Sequence, residues 1–183
     1  MAGDGGVTRN GRPPATLAAN RPEVAIRRVR RVPVTFDARF SATQRRYRYR
    51  ICDGVALDPL ERHRTWHAKP PRLDVDAMQA GGQHLVGEHD FSSFCRRAGE
   101  QHLVRRIDAL AVRRRSATLV TVDVAGKAFC HQMVRSVVGC LARIGRGARP
   151  PDWAAEALAA RERAAVGEIA PAHGLTLVGV SYA

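Results

Sequence analysis

From Arg45 to Ile51 the side chains alternate in character. Tyr47, Tyr49 and Ile51 fall on one face, Arg46, Arg48 and Arg50 on the other, which predicts a half-buried strand with a basic outer face. Val24–Val34 alternates in part, through Val24, Ile26, Val29, Val32 and Val34 with Arg between, and predicts an earlier strand with a bulge. Ile107–Arg114 and Thr118–Ala125 predict two more strands joined by the polar Arg115–Ser116 turn, and Leu175–Tyr182 a last one. The strongest helical pattern is Ala128–Ile144, where Met133, Val137, Cys140, Leu141 and Ile144 recur at spacings of three and four before Gly145 and Gly147. Asp74 is placed to cap a helix running to about Leu85, and Asp152 an Ala-rich helix ending at Ala160. Asp53–Pro71 and Gly87–Gln101 carry turn signals and read as loops. Met1–Pro14 is Gly- and Pro-rich without periodicity, a disordered or atypical leader to a domain spanning 15–183. The order β-β-α-β-β-α-α-β defines the α+β class: an antiparallel sheet with helices against one face.

Composition narrows the function classes. Of 183 residues, 45% are hydrophobic, enough for a real core. No run of about 18 apolar residues exists, so no spanning helix is expected. Met1–Asn10 lacks the apolar stretch of a secretory signal. The net charge of +13 points to a polyanionic partner, and all basic residues except Lys69 and Lys127 are Arg, whose planar fork suits phosphate. RNA, DNA and an anionic membrane all satisfy the charge. Four cysteines, Cys52, Cys95, Cys130 and Cys140, show no zinc-ligand spacing. Reduced, mostly buried thiols in a cytosolic protein are the expectation. His131 follows Cys130 directly, and neighbours on a helix point about 100° apart, which disfavours a thiol–imidazole pair.

Two segments combine residue types that carry chemistry. Phe36-Asp37-Ala38-Arg39-Phe40-Ser41-Ala42, followed by Arg45-Arg46-Tyr47-Arg48-Tyr49, interleaves Arg with rings. Splayed RNA is held this way, phosphates on guanidinium and bases on aromatic faces. The same residues equally describe a strand with core tyrosines and solvated arginines. Lys127-Ala128-Phe129-Cys130-His131-Gln132-Met133-Val134-Arg135 opens the best helix, with Arg135 sharing a face with His131. Alone, that Arg reads as a surface residue. No paired carboxylates, Ser/His/Asp arrangement, phosphate loop or dinucleotide fingerprint is present.

These two segments, with Gly87-Glu88-His89-Asp90-Phe91-Ser92-Ser93-Phe94 and Ala170-Pro171-Ala172-His173-Gly174-Leu175-Thr176-Leu177, stand in the order of a known pattern. The chain resembles the tRNA pseudouridine synthase A family from about Ala15 to Tyr182. The resemblance implies isomerisation of uridine to pseudouridine at positions 38 to 40 of the tRNA anticodon stem-loop. The bond from base to sugar breaks, the uracil rotates, and it rejoins through carbon. An Asp serves as covalent nucleophile, and no metal or organic cofactor is used. Tyr47 matches the tyrosine that packs on the target uracil, and Arg135 the arginine that pairs with the catalytic Asp. Arg39 would lie near the cleft and contact phosphate. The resemblance further implies tRNA as partner, no membrane, a cytoplasmic location and the homodimer usual in the family.

The chain departs from the family upstream. The motif Gly-Arg-Thr-Asp-Ala-Gly-Val-His, which carries the nucleophile, is absent. Asp4-Gly5-Gly6-Val7 is similar to its centre, making Asp4 the candidate nucleophile, but the Arg-Thr before it and the His after it are missing. Asp37 stands where many relatives have His, and Lys127 where many have Asn. The expected fold is therefore pseudouridine-synthase-like, about one half of the full two-subdomain fold. Two functions stay open, the synthase itself and a catalytically inactive tRNA-binding remnant. A DNA- or membrane-binding basic protein follows from charge alone.

Overall fold

The computed structural model describes residues 25–26, 28–96 and 103–183. The expected leader 1–14, and Asp4 with it, lies outside the described residues. The chain divides into two units, 1–40 and 41–183. In the first, the strand expected over Val24–Val34 does not form among the described residues. Val32 and Val34 are exposed, and Pro33, which has no N–H for a ladder, accepts the Phe36 N–H into a turn at 2.9 Å. Asp37 Oδ1 then takes the N–H groups of Arg39 and Phe40, each at 2.7 Å.

The second unit is built around β1 (Ala42–Cys52). On one side it pairs antiparallel with β6 (Leu119–Gly126), and β6 with β5 (Ala109–Arg114). On the other it pairs antiparallel with β7 (Leu175–Tyr182). The expected antiparallel sheet has one parallel exception, the short β2 (Trp66–His67) beside Ile51 and Cys52. The alternation in β1 sets the register. Tyr47, Tyr49 and Ile51 stand opposite Val124, Val122 and Val120, all on the face that forms the core.

Three helices cover that face. α1 (Val75–Gln83) is capped as the sequence predicts, Asp74 accepting the Ala77 N–H. α2 (Met133–Gly145) starts five residues later than its apolar pattern, because Gln132 takes a left-handed conformation, φ 67°, and the turn before it is not helical. Its side chains are buried nearly all round, among them Val137, Leu141 and Ile144. Each such side chain contributes about 1.5–3 kcal/mol relative to exposure. α3 (Trp153–Ala160) follows, but Asp152 makes no capping bond and meets His84 instead at 3.1 Å.

Two readings of loops and strands are corrected. Gly87–Gln101 is not all loop, since β3 (Gly87–Asp90) pairs with β4 (Val104–Ile107) in a separate two-stranded sheet. Gly-Glu-His-Asp shows no apolar alternation, so pairing rather than pattern makes this strand. The single strand expected from Ile107 breaks at Asp108, whose N–H bonds Ala125 O at 2.8 Å. The expectation of reduced thiols fails for two cysteines. Cys95 and Cys130, 35 residues apart in sequence, form a disulfide with Cα atoms 5.8 Å apart, while Cys52 and Cys140 are free and buried. No pattern of near-neighbour cysteines announces a pair that only the fold brings together. No helix among the described residues is long and apolar enough to cross a membrane.

Candidate functional site

β1 delivers Tyr47 and Tyr49 to the core face at different depths. Tyr49 is fully buried, while Tyr47 is half-buried and meets Phe129 edge to face at 5.2 Å. Phe129 belongs to the turn that enters α2, and Arg135 stands on the first turn of that helix. The segment 168–174 then closes over both elements. Arg135 Nε donates to Ala170 O at 2.6 Å, and the Ala170 N–H returns a bond to Arg135 O at 3.1 Å. The next carbonyl, Pro171 O, accepts the Tyr49 hydroxyl at 2.6 Å. Consecutive carbonyls of one strap thus fix the arginine and the tyrosine. Burial pushes the Tyr49 phenol well above its ordinary pKa; the positive charge of Arg135 opposes this and Glu168 reinforces it. Tyr49 is a neutral donor at physiological pH.

Close backbone approach explains two glycines of the matched motifs. A Cβ on Gly139, in α2, would strike the Glu168 carbonyl, and one on Gly174 would come within 2.5 Å of the Tyr49 ring. Glu168 is itself held by Arg146 at 2.9 Å. The strap is therefore anchored at both ends against α2 and β1.

Around Arg135 the charge is one-sided. Arg163, in the segment after α3, donates to Gln132 Oε1 at 3.0 Å and Ser136 Oγ at 2.9 Å. Its pKa is lowered, first by burial and then by the neighbouring charges of Arg135 and Arg96. Arg135 forms no ion pair with a carboxylate among the described residues. Its guanidinium is positioned through Nε, which leaves the outer nitrogens for an anion.

Of the four residues singled out from sequence, Tyr47 and Arg135 come to the same face of the sheet. Arg39 belongs to the unit 1–40, its guanidinium 5.4 Å from the centre of the Phe40 ring. Asp4 lies outside the described residues. Asp37 serves as a turn acceptor in that unit. Sequence reasoning missed Tyr49 as a support, the two strap carbonyls and Arg163. The strap was visible only as the motif Ala170-Pro171-Ala172-His173-Gly174, and Arg163 sits in a charged stretch with no pattern of its own. Among the described residues, no three His, Cys, Asp or Glu side chains gather where a metal could be held.

A sheet backed by helices carries on its covered face a half-buried tyrosine braced by Phe129 and an arginine with no carboxylate partner among the described residues. The family model for tRNA pseudouridine synthase matches residues 82–183, and the chain belongs to that family. Several curated relatives called tRNA pseudouridine synthase A are similar to it. The protein of Frankia casuarinae is 50% identical over 151 residues, covering 82% of this chain and 55% of its own length. That of Leifsonia xyli is 42% identical, covering 88% and 56%. That of Streptomyces avermitilis is 41% identical, covering 91% and 59%. The chain thus spans little more than half the length of these relatives.

Proposed function

We propose that the chain works on tRNA as a pseudouridine synthase, isomerising uridine at positions 38 to 40 of the anticodon stem-loop. The observation that carries this reading is Arg135, held by Ala170 O at 2.6 Å and lacking a carboxylate partner among the described residues. A nucleophilic carboxylate must stay ionised, and a guanidinium fixed beside it favours the charged form. Tyr47, half-buried and braced by Phe129, offers a ring on which a uracil swung out of the stack can pack. Asp4 is the candidate nucleophile and Arg39 the candidate phosphate contact. The carboxylate bonds to the sugar carbon as the base leaves, the freed uracil turns, its ring carbon attacks the sugar carbon and displaces the carboxylate, and that ring carbon then gives up its proton as the freed ring nitrogen takes one up. Homodimerisation and a cytoplasmic location accompany this reading.

A second reading, tRNA binding without chemistry, is favoured by the missing Arg-Thr and His around Asp4. The two separate in one assay. The purified chain is incubated with an unmodified anticodon arm and pseudouridine is measured, beside Asp4→Ala and Tyr47→Ala. Activity lost in Asp4→Ala supports the synthase with Asp4 as nucleophile. Salt-sensitive binding without product supports the second reading. Tyr47→Ala is expected to weaken binding by about 1–3 kcal/mol, the value of one base stacked on a ring.

A further inference from the structure

Beyond the Tyr47–Arg135 face, a cavity of about 440 Å³ opens between the loop 92–96 and the segment 161–164. Ser92, Cys95, Arg96, Arg161, Glu162 and Arg163 line it. Its backbone is firmly placed. Cys95 is tied to Cys130, and the Arg96 N–H donates to His131 O at 3.0 Å. Arg163 reaches in from the other side and is held by the side-chain oxygens of Gln132 and Ser136. These are neutral acceptors, so they orient the guanidinium without neutralising it.

The charges do not balance. Arg161 is offset by Asp90, 3.6 Å away. Neither Arg163 nor Arg96 forms an ion pair among the described residues, and Glu162, though it lines the cavity, is exposed and pairs with neither. Arg163 lies within the field of both Arg96 and Arg135. Like charges brought together in a partly buried place repel unless an anion comes between them. Two N–H groups of the Arg163 fork are in use, and the remainder are free to grip a tetrahedral anion in pairs.

Resting on the tRNA reading above, we propose that Arg163 and Arg96 hold one phosphodiester of the RNA backbone in this cavity, next to the nucleotide presented to Tyr47. A base leaves its stack by rotation of its nucleotide about the backbone, a turn that a fixed point on the backbone guides. A phosphate gripped beside Arg135 supplies such a point. Arg163 is then a positioning residue with two tasks: it fixes Gln132 at the head of α2, and it binds the backbone.

The test is anisotropy of a labelled anticodon stem-loop with the full chain, titrated over a range of KCl, for wild type, Arg163→Gln, Arg163→Lys and the double variant Arg96→Gln/Arg163→Gln. Each phosphate neutralised adds roughly 0.7–0.9 to the steepness of log K against log salt. Arg163→Gln is expected to lower the steepness by part of that amount, Arg96 keeping the rest of the same phosphate's share, and Arg163→Lys to restore it. The double variant is expected to lose no more than one phosphate's share, because both side chains hold the same group. A wild-type steepness in Arg163→Gln, with only its thermal midpoint reduced, would make Arg163 purely structural and overturn the proposal. Loss of two phosphates' share in the double variant would overturn the shared site. Failure of the wild type to bind at all would remove the tRNA reading and this proposal together, whereas wild-type binding indifferent to Arg163 removes this one alone.

Discussion

Asp53 has a side chain with no solvent exposure, at the junction of β1, β5 and the entry to α1. Arg114 approaches it with two nitrogens, at 2.8 and 3.2 Å, and the Leu73 N–H donates at 2.9 Å. Burial acts to raise the Asp53 pKa, but the bonds from Arg114 and Leu73 outweigh it and leave the carboxyl below its usual value. A lowered folded-state pKa stabilises the protein above the unfolded value of about 3.9, and that stability is lost as pH falls through the folded value. Asp53→Asn is therefore expected to cost roughly 3 kcal/mol near neutrality, the low end for a broken buried pair because Arg114 remains partly in water. Urea unfolding of both proteins checks this: the difference should hold down to about pH 4 and shrink below it. A difference unchanged well below that pH would assign the loss to packing. Nothing in the sequence marks Asp53, since its partners lie 20 and 61 residues away. Tyr47 and Arg135 were singled out as candidates because they sit inside dense local motifs. Arg163 was not, because its importance arises from Gln132, Ser136 and Arg96, which only the fold assembles.

At the scale of elements, α2 shows how competing effects settle a prediction. Replacing a mid-helix Gly by Ala gains about 1 kcal/mol in helix propensity. At Gly139 the new methyl group meets the Glu168 carbonyl, where Arg146 and the Ala170–Arg135 bond pair restrict movement of the strap. Overpacking against fixed backbone costs about 1–3 kcal/mol, so Gly139→Ala is expected to be destabilising overall. A urea midpoint raised by this substitution would mean that the strap yields, and that it does not hold Arg135 in place. The apolar periodicity of α2 was readable, and so was the alternation of β1 and β6, whose apolar positions fall on the core face; β7 was readable from its apolar run, although none of its residues is buried. The ends were less readable: a left-handed Gln132 delays the start of α2, and no hydrophobic pattern signals that. β3 was missed for a related reason, since its existence depends on pairing with β4.

For the whole molecule, charge and the open sheet edge oppose each other. A net charge of +13 keeps copies of the chain apart at low ionic strength. β7 pairs with β1 on one side and, among the described residues, with no strand on the other. Leu177, Val178 and Tyr182 are between 41% and 49% exposed along it. The register shift opposite Arg46 and Tyr47 leaves Val178 in a bulge, a device that turns an edge away from partners, but it covers only part of the strand. Salt therefore acts in two directions. It would weaken the proposed RNA binding by removing the gain from counterion release, and it screens the repulsion that keeps β7 edges apart. Sedimentation velocity of the chain without RNA is expected to show self-association that rises with KCl. Val178→Lys, which adds a charge to the edge at an exposed position, should reduce it at every salt concentration. A monomer throughout would mean that the edge is protected by something other than charge, and that the proposed homodimer does not form through it. Association indifferent to Val178→Lys would move the contact to another surface.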